Sequence, residues 1–297
     1  MPATLRIWLL AARPASLTAA VVPLLVGTAL VADQAFRPGL FVLALLGSMA
    51  FQAGTNLVND HFDHVLGVDS ADSLGPSGVI QRGLLSPTAV LVGGVAAFAV
   101  GAALGIVIVA FVGWPILAVG VLSLLAGFAY TAPPFKLAYR GLGEITTFVF
   151  MGVAIVMGAA YVQTEAWAWD AFLVSLPIGL LVSAILQANN LRDIEDDRTH
   201  GKRTIASLIG RPAADYEHVA LIVGAYVIAG VLVVTKVAPL TALIVFASAP
   251  VALRVLLTLA DSKSARSLNR VLLGTVGMHL IFGLLWALGL ALDAWTS

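Results

Sequence analysis

Nine stretches of the chain stay apolar for most of the thickness of a bilayer, separated by connections that are short except at 59–87 and 191–215: 16–32, 39–58, 88–111, 114–131, 143–163, 169–190, 216–235, 237–257 and 270–292. A membrane-crossing helix needs about 20 mostly apolar residues. The pattern therefore predicts an all-α, polytopic membrane bundle of nine transmembrane helices, one domain over 1–297. The stretches are rich in Gly and Ala, which lets helices approach closely in lipid. The tightest connections fall at Val112–Gly113 and at Lys236, each beside a proline (Pro115, Pro239). Arg6 and Arg13 precede the first stretch, which is longer than the apolar core of a cleaved leader and is read as a retained span.

Composition agrees: 60% of the 297 residues are hydrophobic and 11% charged, against about 25% charged in soluble domains. The formal net charge is zero, so no basic field points to nucleic acid. With no cysteine, thiolate catalysis, Cys-type zinc sites and disulfides are excluded. With the N-terminus inside, 14 of the 16 Lys and Arg fall on the cytoplasmic side, only Arg37 and Lys236 lying outside. That bias predicts N-in and C-out, with a cytoplasmic working face. Twelve of the 16 acids share that face. Acids contribute little to topology, so their clustering needs another reason.

They concentrate in two segments. "NLVNDHFDHVLGVDSAD" (56–72) follows the second span and "NNLRDIEDDRTHGKRT" (189–204) the sixth, dividing the chain into two four-helix halves plus a ninth helix. In the first, Asn56 and Asp60 are four apart, as are Asn59 and Asp63; in the second, Asn189, Asp193 and Asp197 repeat at the same interval. Residues four apart share a helix face. Carboxylates gathered this way repel unless a cation joins them, and Mg²⁺ takes hard oxygen ligands shared with substrate phosphates. Candidate metal ligands are Asp60, Asp63, Asp69, Asp193 and Asp197. Asn56, Asn59, Arg82, Lys136, Arg140, Lys202 and Arg203 are candidate diphosphate contacts, the cations through charge-assisted bonds. The competing reading is a pair of solvated loops; it suits either segment alone, and less well two with matched spacing. Glu195 and Asp196 lie off the shared face and are expected in solvent. His61 and His64 are expected in loop contacts, His279 in a bond to a neighbouring helix, Trp167 and Trp169 at the interface. Tyr130 and Tyr139 suit either the diphosphate site or an interfacial belt.

These motifs resemble those of the UbiA superfamily of intramembrane prenyltransferases. The first family motif, Asn-x3-Asp-x3-Asp, is matched by Asn59 and Asp63, with Gly67 at its third position and Asp69 two residues later. The second is matched by Asp193, Asp197, Gly201 and Lys202. "GPSGVIQRGLLSP" (75–87) and "YTAPPFKLAYRGLGE" (130–144) resemble the branch acting on 1,4-dihydroxy-2-naphthoate. Many relatives carry a basic residue soon after the Gly-Pro; here Ser77 and Gly78 follow it, and Arg82 is the candidate substitute. The resemblance implies a polyprenyl diphosphate donor, Mg²⁺ held by both motifs, and catalytic roles for Asp63, Asp193 and Asp197. It also implies an aromatic acceptor which, if 1,4-dihydroxy-2-naphthoate, loses CO₂ and becomes demethylmenaquinone, in a bacterial or archaeal cell membrane. Prenylation of 4-hydroxybenzoate is the enzymatic alternative and a secondary transporter the non-enzymatic one, although a transporter gathers its ionisable groups nearer the bilayer midplane.

Overall fold

The structure, a computed structural model, describes residues 3–68 and 77–296, excepting the side chains of 293–296. The candidate ligand Asp69 and the Gly75–Pro76 pair lie outside the described residues.

The chain enters through α1 (Ala3–Ala11) and α2 (Thr18–Leu30), which meet at a 54° bend. The break has a local cause. A residue before proline is disfavoured in the helical region, and Arg13, before Pro14, adopts a left-handed conformation (φ 53°). There follow α3 (Pro38–Val65), α4 (Pro87–Val112) and α5 (Trp114–Ala129). A short turn at Leu137–Tyr139 leads to α6 (Gly143–Thr147), which runs through a π-helical segment, Phe148–Val153, into α7 (Ala154–Thr164). The second half comprises α8 (Trp169–Arg192), the short α9 (Ile194–Thr199) and α10 (Ile205–Ile209), then α11 (Arg211–Val234). It closes with a 3-10 segment, Leu240–Ser248, leading into α12 (Ala249–Ala260), and with α13 (Ala265–Thr296). Among the described residues there is no strand; Arg140 and Arg203 form an isolated backbone bridge.

The protein is an all-helical integral membrane bundle, and each of the nine predicted stretches coincides with helix. The exact count of nine full-length spans is not confirmed. Among the described residues seven helical spans are long and apolar enough to cross a bilayer, or eight if the bent α1–α2 pair counts as one. Helix α5 has 16 residues, fewer than the roughly 20 a bilayer core requires.

Lipid tails are as apolar as the helices, so the bundle is held by close packing rather than by exclusion from water. On the α3–α4 seam a side-chain carbon at Gly54 would come within 2.8 Å of the Phe98 ring. At the π segment, one at Gly152 would lie 2.4 Å from the Gly179 backbone of α8. A continuous core fills the second half, where Met278, Phe282 and Trp286 of α13 are fully buried together with Val22 of α2 and Ile178 of α8. Trp286 donates its indole N–H to the Val174 carbonyl at 3.2 Å. The first half closes less completely: α2 to α5 and the π segment surround an apolar cavity of about 330 Å³.

Candidate active site

Both acidic motifs end their helices in the same way. Helix α3 closes at Gly67 (φ 72°), whose N–H bonds the His64 carbonyl at 3.0 Å while the Val68 N–H reaches back to Asp63 O at 2.9 Å. In the second half Gly201 (φ 69°) bonds the Arg198 carbonyl at 3.2 Å and the Lys202 N–H reaches Asp197 O at 2.8 Å. This paired pattern is the Schellman ending, which calls for glycine because its left-handed conformation burdens residues with a Cβ. The spacing Asp-x3-Gly-Lys thereby folds Lys202 over Asp197. The ammonium lies 3.5 Å from the carboxylate and 5.4 Å from the centre of the Tyr139 ring.

A polar cavity of about 50 Å³ lies between the motifs. Asn59 and Asp63 of α3 line one side; Asn189 and Asn190 of α8 line the other, with Asp193, Asp197 and Lys202. Arg13 enters from the α1–α2 break, and Tyr130, following α5, is part of the wall. Tyr139 donates its hydroxyl to Asp63 Oδ1 at 2.5 Å. Asp193 is gripped on both oxygens by Arg192 (2.7 and 2.6 Å), whose fork also reaches Asn189 and Asn269. Asp197 is 1% exposed and accepts from the Thr204 hydroxyl at 3.2 Å. Burial pushes its carboxyl up to about 6, with Lys202 pulling it down and Asp193 raising it further. A second cation beside it would favour the ionised form.

Several expected residues stand elsewhere. Asp60, expected as a metal ligand, does not line this cavity: it pairs with Arg13 and accepts from the Ser77 hydroxyl at 2.5 Å. Asn56, expected at the diphosphate, spends its amide on Ala12 O and Ser16 Oγ (2.9 and 2.7 Å) and pins the α1–α2 break. Arg82 turns back on its own loop, donating to the Gly78 and Ser77 carbonyls, and Arg140 donates to the Pro134 carbonyl. Arg203 is exposed and contributes a backbone N–H to Tyr139 O at 3.3 Å. Lys136 lies 5.8 Å from the Tyr139 ring centre rather than in the cavity wall. Helical spacing put Asn56 and Asp60 near the depth of Asn59 and Asp63, but partners at the distant α1–α2 break set their direction, whereas Arg82 and Arg140 turn to carbonyls of their own loops. Asp196 is exposed, as expected, at the cavity's edge. His61 contacts the Pro87 carbonyl at 2.9 Å. His279, expected to bond a neighbouring helix, is fully buried with neither ring nitrogen hydrogen-bonded among the described residues.

Three site residues escaped sequence reasoning. Arg13 and Arg192 had entered only the charge count. Glu144 of α6 is 6% exposed; its Oε1 accepts from the Asn190 side-chain amide at 2.7 Å, and its Oε2 is buried without a partner. An acid at the first turn of an apolar span was the available signal.

The donor set fits a hard cation. Asn59 Oδ1 is buried without a hydrogen-bond partner, and the carboxylates of Asp63, Asp193 and Asp197 line the same cavity. Among the described residues no three Asp, Glu or His groups form a ready-made cage. Mg²⁺ does not require one, since it keeps waters and takes one or two carboxylates together with substrate phosphates.

The two cavities meet at Tyr130, which lines both. A polar, carboxylate-walled cavity thus lies beside an apolar one, with Tyr130 in the wall of each. Residues 20–286 match the UbiA prenyltransferase family, and the chain belongs to that family. Membership sets aside the transporter reading. The chain is 32% identical over 282 residues to a 1,4-dihydroxy-2-naphthoate octaprenyltransferase of Bacillus subtilis (strain 168), covering 95% of this chain and 91% of that one. It is also 32% identical over 302 residues to the like-named protein of Escherichia coli (strain K12), covering 98% and 96%. Among solved structures, an apo UbiA homolog from Aeropyrum pernix K1 superposes with a TM-score of 0.71 at 19% identity, over 93% of this chain and 97% of that one. A UbiA homolog from Archaeoglobus fulgidus bound to GPP and Mg²⁺ gives 0.66 at 16%, over 96% and 99%. At these identities the two structures speak for the fold.

Proposed function

We propose that the protein transfers a polyprenyl chain from its allylic diphosphate to 1,4-dihydroxy-2-naphthoate, with loss of the ring carboxylate as CO₂. The observation that carries this reading is the junction at Tyr130 between the polar and apolar cavities. The choice of acceptor is supported by the two relatives named for it, each matched over nearly the whole chain.

The diphosphate occupies the polar cavity, where Lys202 and Arg13 face it as cations. Mg²⁺ would be held by Asp63, Asp193 and Asp197 with the Asn59 amide oxygen, and when bound it neutralises charge on the departing diphosphate. The allylic C–O bond breaks with its electron pair leaving on the diphosphate. The allylic cation is then shielded from water by the apolar wall, with the Tyr130 side chain at the threshold. The ring carbon bearing the carboxylate attacks it, and the electrons of the C–CO₂⁻ bond restore aromaticity as CO₂ departs. The product is the quinol form of demethylmenaquinone. With the N-terminus inside, these events occur at the cytoplasmic face.

The test is product analysis. Purified protein in lipid receives polyprenyl diphosphate, Mg²⁺ and one acceptor at a time. The reading expects a decarboxylated prenyl-naphthalenediol from 1,4-dihydroxy-2-naphthoate and little from 4-hydroxybenzoate. The reverse preference, or a product that keeps its carboxylate, would overturn it.

A further inference from the structure

Helix α8 carries a buried polar stripe beside the polar cavity. Ser183, Gln187 and Asn190, at i, i+4 and i+7, share one helix face and are 2%, 0% and 3% exposed. Glu144 of α6 lies along it. Ser183 donates its hydroxyl to the Glu144 backbone carbonyl at 3.1 Å, and Asn190 donates its amide to Glu144 Oε1 at 2.7 Å. Gln187 therefore sits between the two points at which Glu144 is held. Of these four residues only Asn190 lines the polar cavity.

Two acceptors on this stripe lack a donor among the described residues. Gln187 spends its amide nitrogen on the Ala214 carbonyl (3.2 Å) and on Glu217 Oε2 (2.6 Å), both of α11, and its Oε1 is buried without a hydrogen-bond partner. Because both α11 partners are acceptors, the network fixes the amide with its nitrogen toward them. Glu144 Oε2 is buried and unpartnered as well. A carboxylate only accepts, as does an amide oxygen, so an ionised Glu144 leaves both atoms unsatisfied, whereas buried polar groups are nearly always paired. One proton on Glu144 Oε2 turns that atom into the donor that Gln187 Oε1 lacks.

We infer that Glu144 is held as the neutral acid, donating Oε2–H to Gln187 Oε1, and that this single proton completes a chain from Asn190 through Glu144 and Gln187 to Glu217 that positions Asn190 for the reaction. The role given to Asn190 rests on the prenyl-transfer reading above; the location of the proton does not. A neutral group suits the place. The cavity that Asn190 lines already contains Asp63, Asp193 and Asp197 and must accept a diphosphate, and a further negative charge next to it would repel that ligand. The neutral acid holds the Asn190 N–H and adds no charge. Gln187 and the half-buried Glu217, neither of which lines the cavity, thereby become positioning residues.

The experiment is infrared difference spectroscopy of the protein in lipid near neutral pH, wild type minus Glu144→Gln, in H₂O and in D₂O. A protonated carboxyl and a carboxylate absorb in separate regions. The expected result is loss of a protonated-carboxyl band that shifts on deuteration; loss of carboxylate bands instead overturns the inference. Gln187→Leu is the second variant and serves if the first fails to fold. It keeps Glu144 and removes the acceptor, so the protonated-carboxyl band should move to higher frequency, and a spectrum without that shift overturns the inference. Kinetics test the positioning role. Glu144→Gln keeps an acceptor for Asn190 and a donor for Gln187, and should retain about tenfold more kcat/KM than Glu144→Leu, the scale of a lost buried hydrogen bond. Equal losses in the two would contradict that role. Wild type without prenyl transfer would overturn the prenyl-transfer reading instead, and the infrared test of the proton would still decide its location.

Discussion

Asp63 and Asp197 occupy the same position of two equivalent helix endings: each carbonyl receives the N–H five residues on, across a left-handed glycine, Gly67 in one case and Gly201 in the other. The equivalence runs upstream, where Asn59 matches Asp193 and Asn56 matches Asn190. It also accounts for the first motif's departure from the family pattern. Gly67, where that pattern has a third aspartate, is the counterpart of the capping Gly201.

Gly201→Ala places a Cβ in the left-handed region, at a cost of about 1–2 kcal/mol. Thermal unfolding in detergent should show a lower midpoint, and activity at low temperature should fall further than stability does, because Lys202 is displaced from Asp197. An alanine variant with wild-type turnover would mean that the cap does not position the site.

The aspartates divide by partner. Asp63→Asn, Asp193→Asn and Asp197→Asn are expected to abolish most turnover and to raise the Mg²⁺ concentration giving half-maximal activity, and a chelator should silence the wild type. Asp60→Asn should act mainly on stability, by about 1–3 kcal/mol, because it leaves Arg13 without its carboxylate. Mg²⁺ titration of activity alongside thermal unfolding separates the two behaviours. An Asp60 variant with normal stability and a shifted Mg²⁺ response would contradict the assignment.

Glu144 acts through Asn190. Its Oε1 accepts the Asn190 amide N–H at 2.7 Å, which leaves the amide oxygen available to the polar cavity that Asn190 lines. Glu144→Ala and Asn190→Ala should each lower kcat/KM, and the double variant should lose little more than the worse single one. Coupling of about 0.5–3 kcal/mol in that cycle is expected for residues in contact; strictly additive losses would show that the two act separately.

Lys202 and Arg203, adjacent in sequence, should behave differently. Lys202→Gln removes a cation from the cavity wall and is expected to cost about 1.5–3 kcal/mol in donor kcat/KM with any acceptor. Arg203→Gln, at an exposed side chain, should stay within about 0.5 kcal/mol of wild type. Initial rates against donor concentration decide it, and equal losses would contradict the geometry.

The helices were readable because an apolar run of bilayer length admits few alternatives to helix. Asn59, Asp63, Asp193 and Asp197, chosen by their spacing, line one cavity, because i,i+4 geometry is local. The parts that were not readable are long-range. Asp60 and Asp63 lie on adjacent edges of one helix, and Arg13, 47 residues away, together with Ser77 holds Asp60 away from the cavity. Glu144 is tied to Asn190 across 46 residues, and Tyr139 to Asp63 across 76. Arg140 and Arg203 counted as site cations because charge and proximity to a motif are visible in sequence, whereas exposure is not. The span count is less sharply defined than the fold, because hydropathy does not measure how short α5 is or that Arg13 and Pro14 break the entry helix.

The central claim is that the acceptor's carboxylate is replaced at the carbon that receives the prenyl chain, in the chamber between the two motifs. It is tested most directly with 1,4-dihydroxy-2-naphthoate labelled in the carboxyl carbon, following labelled CO₂ and prenylated product together. The account predicts one labelled CO₂ per prenyl chain transferred, and loss of both signals together in Asp197→Asn. Prenylated product that retains the label, or CO₂ released without prenyl transfer, would contradict it.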